Sequence, residues 1–578
     1  MSAPPTGPGS NEPDGGAHQP VDGTYRPGPG PYGTAPGGEH AGTPSEPSYS
    51  PYASTSGGAA AYPGGAPPSN VRAVGWIGVA LLYALVIWQL LIPTIATMVD
   101  STSSGNPFMG SGESVGLQNW ADVMPQLMPA LGFSLLAVLP VTVAAAVLGL
   151  AIGAGMTPQQ GLARPIRILV GVTGALFVPL GIGLARYLAS EGIRSPADAQ
   201  MLVIVSVTLA ALPLLTAAFA TAFAAVLGGD TPGRGVAIVL AVGFTGMLAL
   251  GPQLLDLPLV LTGGGPENST MTPLYLAYQQ GFVMLDWGRG SATSGVLLLL
   301  AGVLGMVAML ALLLGRMHLG VREGGAVADP VAPGGPSRPT GTAGIVGIIA
   351  AAIVLVVMLV LHAPVLLGSL SSPPDPTVSS LQVTISTWLP AALGTLIQVA
   401  VALIGAFAIG WCRPAGNASL WLLLPLAPWL FVGPGPLMLQ HFTATRDLGL
   451  LDSWVGQIPS PAVVVGAVVV LALLFAGMRQ RAPQSMRGVV GAGALGAAAV
   501  LLVTQAQSLL PSYVVNSSQE NLTAPSVVIR LLGSQGFQFA DSGGALGLLY
   551  PIPMFVVVAA LGVLAQLGLR RVVMLRHE

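Results

Sequence analysis

The residues best suited to chemistry lie in one polar stretch within an otherwise apolar part of the chain. Asp256 is followed six residues later by the run Thr262-Gly263-Gly264-Gly265-Pro266. A carboxylate within a membrane costs about 2.5–3.5 kcal/mol at mid-depth, so Asp256 must face protein or water. It is therefore a candidate pathway or gating residue, and the alternative is a cap of the glycine run. Because glycine permits close backbone approach, the backbone of residues 262–266 could contact a ligand, or the run could be a tight turn.

Two further carboxylates, Asp286 and Asp541, precede apolar runs near the ends of the two halves of the chain. Both are candidates for contact with a transported solute. The alternative is that each caps the N-terminus of a short helix, because Asp accepts hydrogen bonds from unpaired amides there.

The remaining composition excludes several classes of site. The chain has one cysteine and six scattered histidines, so it predicts no disulfide, no metal site and no cofactor. All twenty basic residues are arginine, which excludes the lysine of a P-loop ATPase. No basic tract predicts a nucleic-acid partner. We expect a protein that is not an enzyme.

The elements that carry these residues are apolar and long. The 578 residues are 52% hydrophobic and 7% charged, against about 25% charged in soluble domains. Runs of about 20 apolar residues match the thickness of a bilayer core, so membrane lipid is the expected surrounding. We predict an all-α polytopic membrane protein with about twelve spans at 74–98, 127–155, 166–188, 201–226, 235–260, 291–315, 342–368, 390–412, 419–440, 461–478, 488–510 and 547–569.

Four segments follow from this pattern. Residues 1–70 are rich in proline and glycine and contain no apolar run, which predicts a disordered tail. Residues 71–316 and 342–578 are two transmembrane domains, and 317–341 is a cytoplasmic linker.

Arginine placement predicts the orientation. With the N-terminus inside, three times as many arginines fall in cytoplasmic segments as in outer ones. Both termini are therefore expected in the cytoplasm of a plasma membrane. Exclusive use of arginine is typical of a GC-rich, bacterial source.

The two transmembrane domains share motifs in the same order. Met128-Pro129-Ala130-Leu131-Gly132 corresponds to Leu389-Pro390-Ala391-Ala392-Leu393-Gly394. Later, Glu267-Asn268-Ser269-Thr270 corresponds to Glu520-Asn521-Leu522-Thr523, and Asp286 to Asp541. This pattern predicts two six-helix parallel repeats, an architecture common in transporters.

The block from Asp256 to Pro266 resembles the segment before the last helix of maltose-type sugar ABC permeases. Gly116-Leu117-Gln118-Asn119-Trp120 resembles the entry to that family's transmembrane domain, and Leu448-Gly449-Leu450-Leu451 resembles the partner subunit. The chain thus resembles two permease subunits fused head to tail. The resemblance implies uptake of a carbohydrate or similar small solute, with separate ABC ATPases and an extracytoplasmic solute-binding protein as partners.

The chain departs from that family at its cytoplasmic loops. Family members carry a coupling helix with a Glu-Ala-Ala core that docks on the ATPase. The first expected site offers only Ala224, Ala225, Gly229, Asp230 and Arg234, and the second offers Arg479, Arg481 and Arg487. Both loops are short and lack the motif.

Two functions therefore remain open. The first is an ABC-type permease powered by separate ATPases. The second is a permease-derived scaffold or partner protein that no longer couples to an ATPase. An ion-coupled transporter is disfavoured, because the spans lack paired intramembrane charges.

Overall fold

Helices account for most of the residues that the computed structural model describes. The structure describes residues 68–105, 112–158, 160–190, 192–321, 341–371, 379–481, 486–510, 512–518, 521–536 and 544–576. Residues 1–67, which hold nearly all of the predicted disordered tail, lie outside this set.

The first part of the described chain contains eight helices and one strand. They are α1 (Ser69–Asp100), α2 (Gln118–Gly155), α3 (Ala163–Thr173), α4 (Pro179–Leu188), α5 (Pro196–Leu227), α6 (Pro232–Leu250), α7 (Pro273–Tyr278), α8 (Trp287–Gly315) and β1 (Met317–Val321).

The second part contains nine helices and a second strand. They are α9 (Thr342–Gly368), α10 (Ser380–Trp411), α11 (Met438–Asp447), α12 (Val465–Arg481), α13 (Met486–Ala506), α14 (Ser512–Val515), α15 (Ala524–Gln535), α16 (Gly544–Leu549), α17 (Ile552–Gly568) and β2 (Val572–Arg576).

Long apolar helices make this a multi-pass membrane protein. Within the described residues, nine helices are long and apolar enough to cross a bilayer. Helix α9 shows why. Its residues Ile349, Ile353, Val356 and Val360 form one stripe, and each is more than half exposed. The opposite stripe, which includes Met358, is buried against the protein. A helix that is apolar on every face needs lipid on its outer side.

Two of the predicted spans are wrong as continuous helices. The span 166–188 is broken between α3 and α4, where Pro179 lacks the N–H needed to continue the ladder. The span 419–440 is a 3₁₀ helix, Gly416–Trp429, that contains Pro425 and Pro428 and is followed by a break before α11.

The fold also contains a small sheet that the all-α prediction lacks. Strands β1 and β2 pair antiparallel, with Met317 opposite Arg576 and Val321 opposite Val572. Strand β1 follows α8 directly, at the start of the segment predicted to be a linker. Strand β2 follows α17 and the short turn Leu569–Arg571.

The sheet marks one end of the helix bundle, which we call the sheet face. Helix α8 has 29 residues and rises about 43 Å, so its first residue Trp287 lies at the opposite face. The turn between α5 and α6 and the end of α12 lie at the sheet face, because α5 contacts β2 and α12 contacts β1.

Candidate functional site

The glycine run after Asp256 is a turn whose own backbone groups are paired. Gly263, Gly264 and Gly265 all have positive φ, at 57°, 94° and 78°, a conformation that strains any residue with a Cβ. The amides of Gly263 and Gly264 donate to the carbonyl of Pro258, and the amide of Gly265 donates to that of Thr262. The hydroxyls of Thr262 and Thr270 lie 2.7 Å apart and close the loop, which continues into Pro266. In this state the three glycine amides are occupied.

Asp256 lies at the contact between the two parts of the chain. It follows the short turn Gly251–Gln253, and its Oδ2 accepts the backbone N–H of Leu509 at 3.2 Å. Leu509 lies just beyond the end of α13. The carboxylate therefore pairs a backbone N–H in the loop that follows α13.

Asp286 is the N-cap of α8. Its Oδ1 accepts the amide of Arg289 at 3.1 Å. The guanidinium of Arg289 also contacts Asp286 at 3.5 Å and Asp122 at 3.0 Å. Asp256, the glycine run and Asp286 thus have different partners. Asp541 lies outside the described residues.

Gln253 is a cross-chain contact that the sequence reasoning missed. Its Nε2 donates to the carbonyl of Phe431 at 2.9 Å, and its Oε1 accepts the amide of Gly433 at 2.8 Å. Both partners lie in the break before α11, so one amide side chain pairs two backbone groups that the break exposes. The signal in the sequence is Gly433-Pro434-Gly435-Pro436, a Gly/Pro interruption of an apolar run.

A tyrosine makes the corresponding contact at the other break. The hydroxyl of Tyr550, just before α17, donates to the carbonyl of Ala175 between α3 and α4 at 2.9 Å. The ring of Tyr550 stacks on Trp388 with centroids 5.4 Å apart. At each helix break, a polar side chain from the other part of the chain therefore hydrogen-bonds the exposed backbone.

Aromatic rings join the two parts at the opposite face. Phe282 lies between Tyr278 at 5.7 Å and Phe442 at 5.5 Å, measured between ring centroids. Tyr278 also contacts Tyr513 at 5.9 Å. Burial raises the pKa of Tyr278 above its usual range, and the neighbouring Tyr513 adds to this shift. These ring contacts therefore pack the two parts of the chain against each other at the opposite face.

The first predicted coupling loop lies under β2. Ala224 and Ala225 are buried near the end of α5. A Cβ at Gly229 would collide with the carbonyl oxygen of Met574 in β2. Beyond Asp230, the guanidinium of Arg234 donates to the carbonyl of Leu314 at the end of α8, at 3.0 Å.

The second predicted coupling loop lies under β1. A Cβ at Gly477 would collide with the carbonyl oxygen of Leu319 in β1. Arg479 donates to the carbonyl of Trp411 at the end of α10. Arg481 is the last residue of α12, and its side chain is not among those that the structure describes. Arg487 is exposed in the first turn of α13. Residues 482–485 between these helices lie outside the described residues.

The sheet thus contacts the turn after α5 through β2 and the last part of α12 through β1. Among the described residues, no cluster of three or more His, Cys, Asp or Glu side chains could hold a metal ion. No known family model matches the chain, and no curated protein is similar to it.

Proposed function

We propose that the chain is a permease-derived membrane protein that works as a partner in a membrane complex and takes no ATPase at its cytoplasmic loops. The observation that carries this proposal is the sheet. The resemblance to sugar permeases expects an ATPase to dock at two loops. Strand β2 lies on the first of these loops at Gly229, and β1 lies on Gly477, where the second begins.

The contacts leave no room for a docked helix over Gly229 in the turn after α5 or over Gly477 in α12. Gly229 and Gly477 each approach a strand carbonyl more closely than any residue with a Cβ could. The strands also hydrogen-bond each other over five residue pairs, so displacing one strand exposes both backbones. An ATPase would have to compete with contacts that this chain makes with itself.

Two six-helix repeats are part of the proposal. Leu176-Phe177-Val178 occupies the first helix break and Leu430-Phe431-Val432 the second, about 255 residues later. Strand β2 follows β1 by the same interval, and Gln507 follows Gln253 by nearly the same one. A constant interval across breaks, strands and glutamines supports two copies related by an axis along the membrane normal.

The orientation that we propose is supported by arginine placement. Of the arginines in the described residues, five are expected at the opposite face, namely Arg186, Arg194, Arg289, Arg446 and Arg530, and the others lie near the sheet face. Because cytoplasmic loops carry the excess of basic residues, we assign the sheet face to the cytoplasm of the cell membrane.

A second candidate is an active ABC-type permease for a carbohydrate or similar solute. The helix breaks favour it, because discontinuous helices at a repeat interface are frequent at transport sites. In that case the sheet would have to separate from the turns before an ATPase could bind.

Affinity purification of the tagged chain from its native membrane, followed by mass spectrometry, separates the two candidates. The proposal expects other membrane proteins and no P-loop ATPase at comparable abundance. A near-stoichiometric ATPase together with a solute-binding lipoprotein would overturn it and establish the permease. Size-exclusion chromatography of the same sample shows that the bait is intact and monodisperse.

A further inference from the structure

A cavity of about 390 Å³ lies beside the first part of α10, at the opposite face of the bundle. Helix α10 ends at Trp411, whose carbonyl accepts a hydrogen bond from Arg479 near the end of α12, at the sheet face. The first residues of α10 therefore lie at the opposite face. One wall of the cavity includes Ile385, Leu389 and Pro390 of α10, and a second wall includes Trp454 and Asn521.

Pro390 frees a backbone acceptor at the first wall. In a helix each carbonyl accepts the N–H of the residue four positions later, and Pro390 has no N–H to donate to the carbonyl of Ser386. Ser386 and Pro390 both line the cavity, so the carbonyl that lies between them borders it. A carbonyl that lacks its helical donor in an apolar surrounding requires another donor. The cavity thus favours a ligand that donates a hydrogen bond.

The second wall adds an acceptor and an aromatic ring. Nδ2 of Asn521 donates to the carbonyl of Asp452 at 3.0 Å, which holds the side chain in place, and Oδ1 of the same side chain is an acceptor. Trp454 is 45% exposed. The face of an indole attracts a cation that lies within about 6 Å of the ring. A cationic group that also carries N–H donors, such as a primary ammonium, therefore suits both walls.

The depth of the cavity matches the headgroup region of a bilayer. Helix α10 has 32 residues and rises about 48 Å, which exceeds a hydrocarbon core of about 30 Å by about 18 Å. Divided equally between the two faces, this excess places Ser386, six residues into the helix, where headgroups give way to acyl chains. Leu389 and Leu396 follow and are exposed, so the apolar surface continues from the cavity toward the centre of the bilayer.

We propose that this cavity binds phosphatidylethanolamine from the leaflet at the opposite face. The ammonium group donates to the carbonyl of Ser386 and lies against the ring of Trp454, and an acyl chain packs along Leu389 and Leu396. Phosphatidylcholine carries the same phosphate and the same positive charge, but its quaternary nitrogen has no N–H. The two lipids therefore differ at the group that the freed carbonyl requires.

The test measures lipid retained by the purified full chain, by native mass spectrometry, after exchange into phosphatidylethanolamine or phosphatidylcholine with the same acyl chains. We expect phosphatidylethanolamine to be retained about five-fold better, which is the usual net effect of one hydrogen bond. Pro390→Ala restores the N–H that pairs the carbonyl of Ser386, so the ratio should fall close to one. Trp454→Leu should weaken retention of both lipids and leave their ratio unchanged.

Pro129→Ala is the matched control, because Pro129 lies inside α2, in the motif that corresponds to that of Pro390, and does not line the cavity. Equal retention of the two lipids by the wild type, or a preference that survives Pro390→Ala, would overturn the proposal. A preference lost equally in Pro129→Ala would also overturn it. Complete displacement of the lipid by soluble phosphoethanolamine, with no effect of Leu389→Ser, would identify a site for the free headgroup and would overturn the lipid site.

Discussion

Two glycines fix how closely the strands approach the helices at the sheet face. At Gly229 and Gly477 the atom that a side chain would meet is a backbone carbonyl oxygen, which cannot move aside by changing a rotamer. Gly233, four residues after Gly229, has no heavy atom near the position of a Cβ. Two glycines four residues apart therefore differ in the space available for a side chain, which is absent at Gly229 and present at Gly233.

Gly229→Ala should destabilise the protein by about 1–3 kcal/mol, the usual cost of inserting a methyl group where there is no space. The buried thiol of Cys412 provides the measurement, because a thiol-reactive dye reports its exposure during thermal unfolding in detergent. We expect a lower midpoint for Gly229→Ala and little change for Gly233→Ala. Equal midpoints for the two variants would contradict the close packing of β2.

Asp452 makes a second, pH-dependent contact at residue scale. Its carboxylate accepts the amides of Ser517 at 2.6 Å and Ser518 at 2.9 Å. These backbone hydrogen bonds lower the pKa of Asp452 below its ordinary value. A lowered pKa in the folded state means that the stabilisation is present above the unfolded pKa of about 4 and is lost as the pH falls through the folded value.

Hydrogen exchange at Ser517 and Ser518, corrected for intrinsic rates, should therefore show protection that falls as the pH drops from 6 to 3. Asp452→Asn should weaken the protection at pH 6 and remove its pH dependence. Asparagine tolerates the positive φ of residue 452, so the turn itself should persist. Asp447→Asn, a nearby exposed carboxylate, is the control and should behave as the wild type.

Broken helices are the main feature at the scale of elements. The break before α11 leaves the carbonyl of Phe431 and the amide of Gly433 outside any helical ladder, and Gln253 pairs both. In an apolar environment no water molecule could make these hydrogen bonds instead of Gln253. The side chain of Gln253 therefore joins the end of α6 to the break in the second part of the chain.

Gln253→Leu should cost about 1–3 kcal/mol for each backbone group that it leaves without a partner. We expect a lower unfolding midpoint in detergent and faster hydrogen exchange at Gly433. Gln126→Leu on α2 is the matched control, because Gln126 is exposed and its loss should change stability by less than about 0.5 kcal/mol. Slow exchange at Gly433 in both variants would show that Gln253 does not support the break.

Much of the element pattern could be predicted from hydrophobic runs alone. The predicted span 342–368 has the bounds of α9, and 201–226 lies within α5. The breaks at 174–178 and 430–434 could not be predicted in this way. A hydropathy window averages over many residues, so a single proline such as Pro179 or Pro434 changes its value only slightly. The side chains that pair the exposed backbone groups at the breaks, Tyr550 and Gln253, lie hundreds of residues away in sequence and carry no motif.

The candidate site was predicted less completely than the fold. The glycine run forms a turn and Asp286 caps α8, which are the alternatives that the sequence left open for these residues. The partners of Asp256 and of the loop around Gly229 could not be foreseen, since Leu509 and Met574 carry no motif and contribute only backbone groups. Such contacts depend on tertiary position and leave no trace in residue type.

The sheet is the feature that matters most at the scale of the whole molecule. It joins the chain after α8 to the chain after α17. Strand β2 covers the turn after α5, and β1 covers the last part of α12. The register puts Leu319 opposite Met574, so their Cβ atoms should lie about 4.5–5.5 Å apart. That separation is close to what a disulfide spans.

A Leu319→Cys/Met574→Cys pair in a Cys412→Ser background should therefore cross-link under mild oxidation. With a protease site introduced into residues 322–340, the cleaved halves should stay linked on a non-reducing gel. Met317→Cys/Val572→Cys is the control, because four residues of strand, about 13 Å, separate their paired positions. Efficient cross-linking of the control pair alone would show that the register is wrong.

The pairing of β1 with β2 also sets the order of events during synthesis. About 250 residues separate the two strands, so at roughly 5–20 residues per second β1 emerges some 12–50 seconds before its partner. Throughout that interval β1 presents an unpaired strand edge at the membrane surface, and the turn beside Gly229 has no strand upon it. The newly made chain is therefore open to other binding partners at this surface for a limited time, and closure by β2 ends that access.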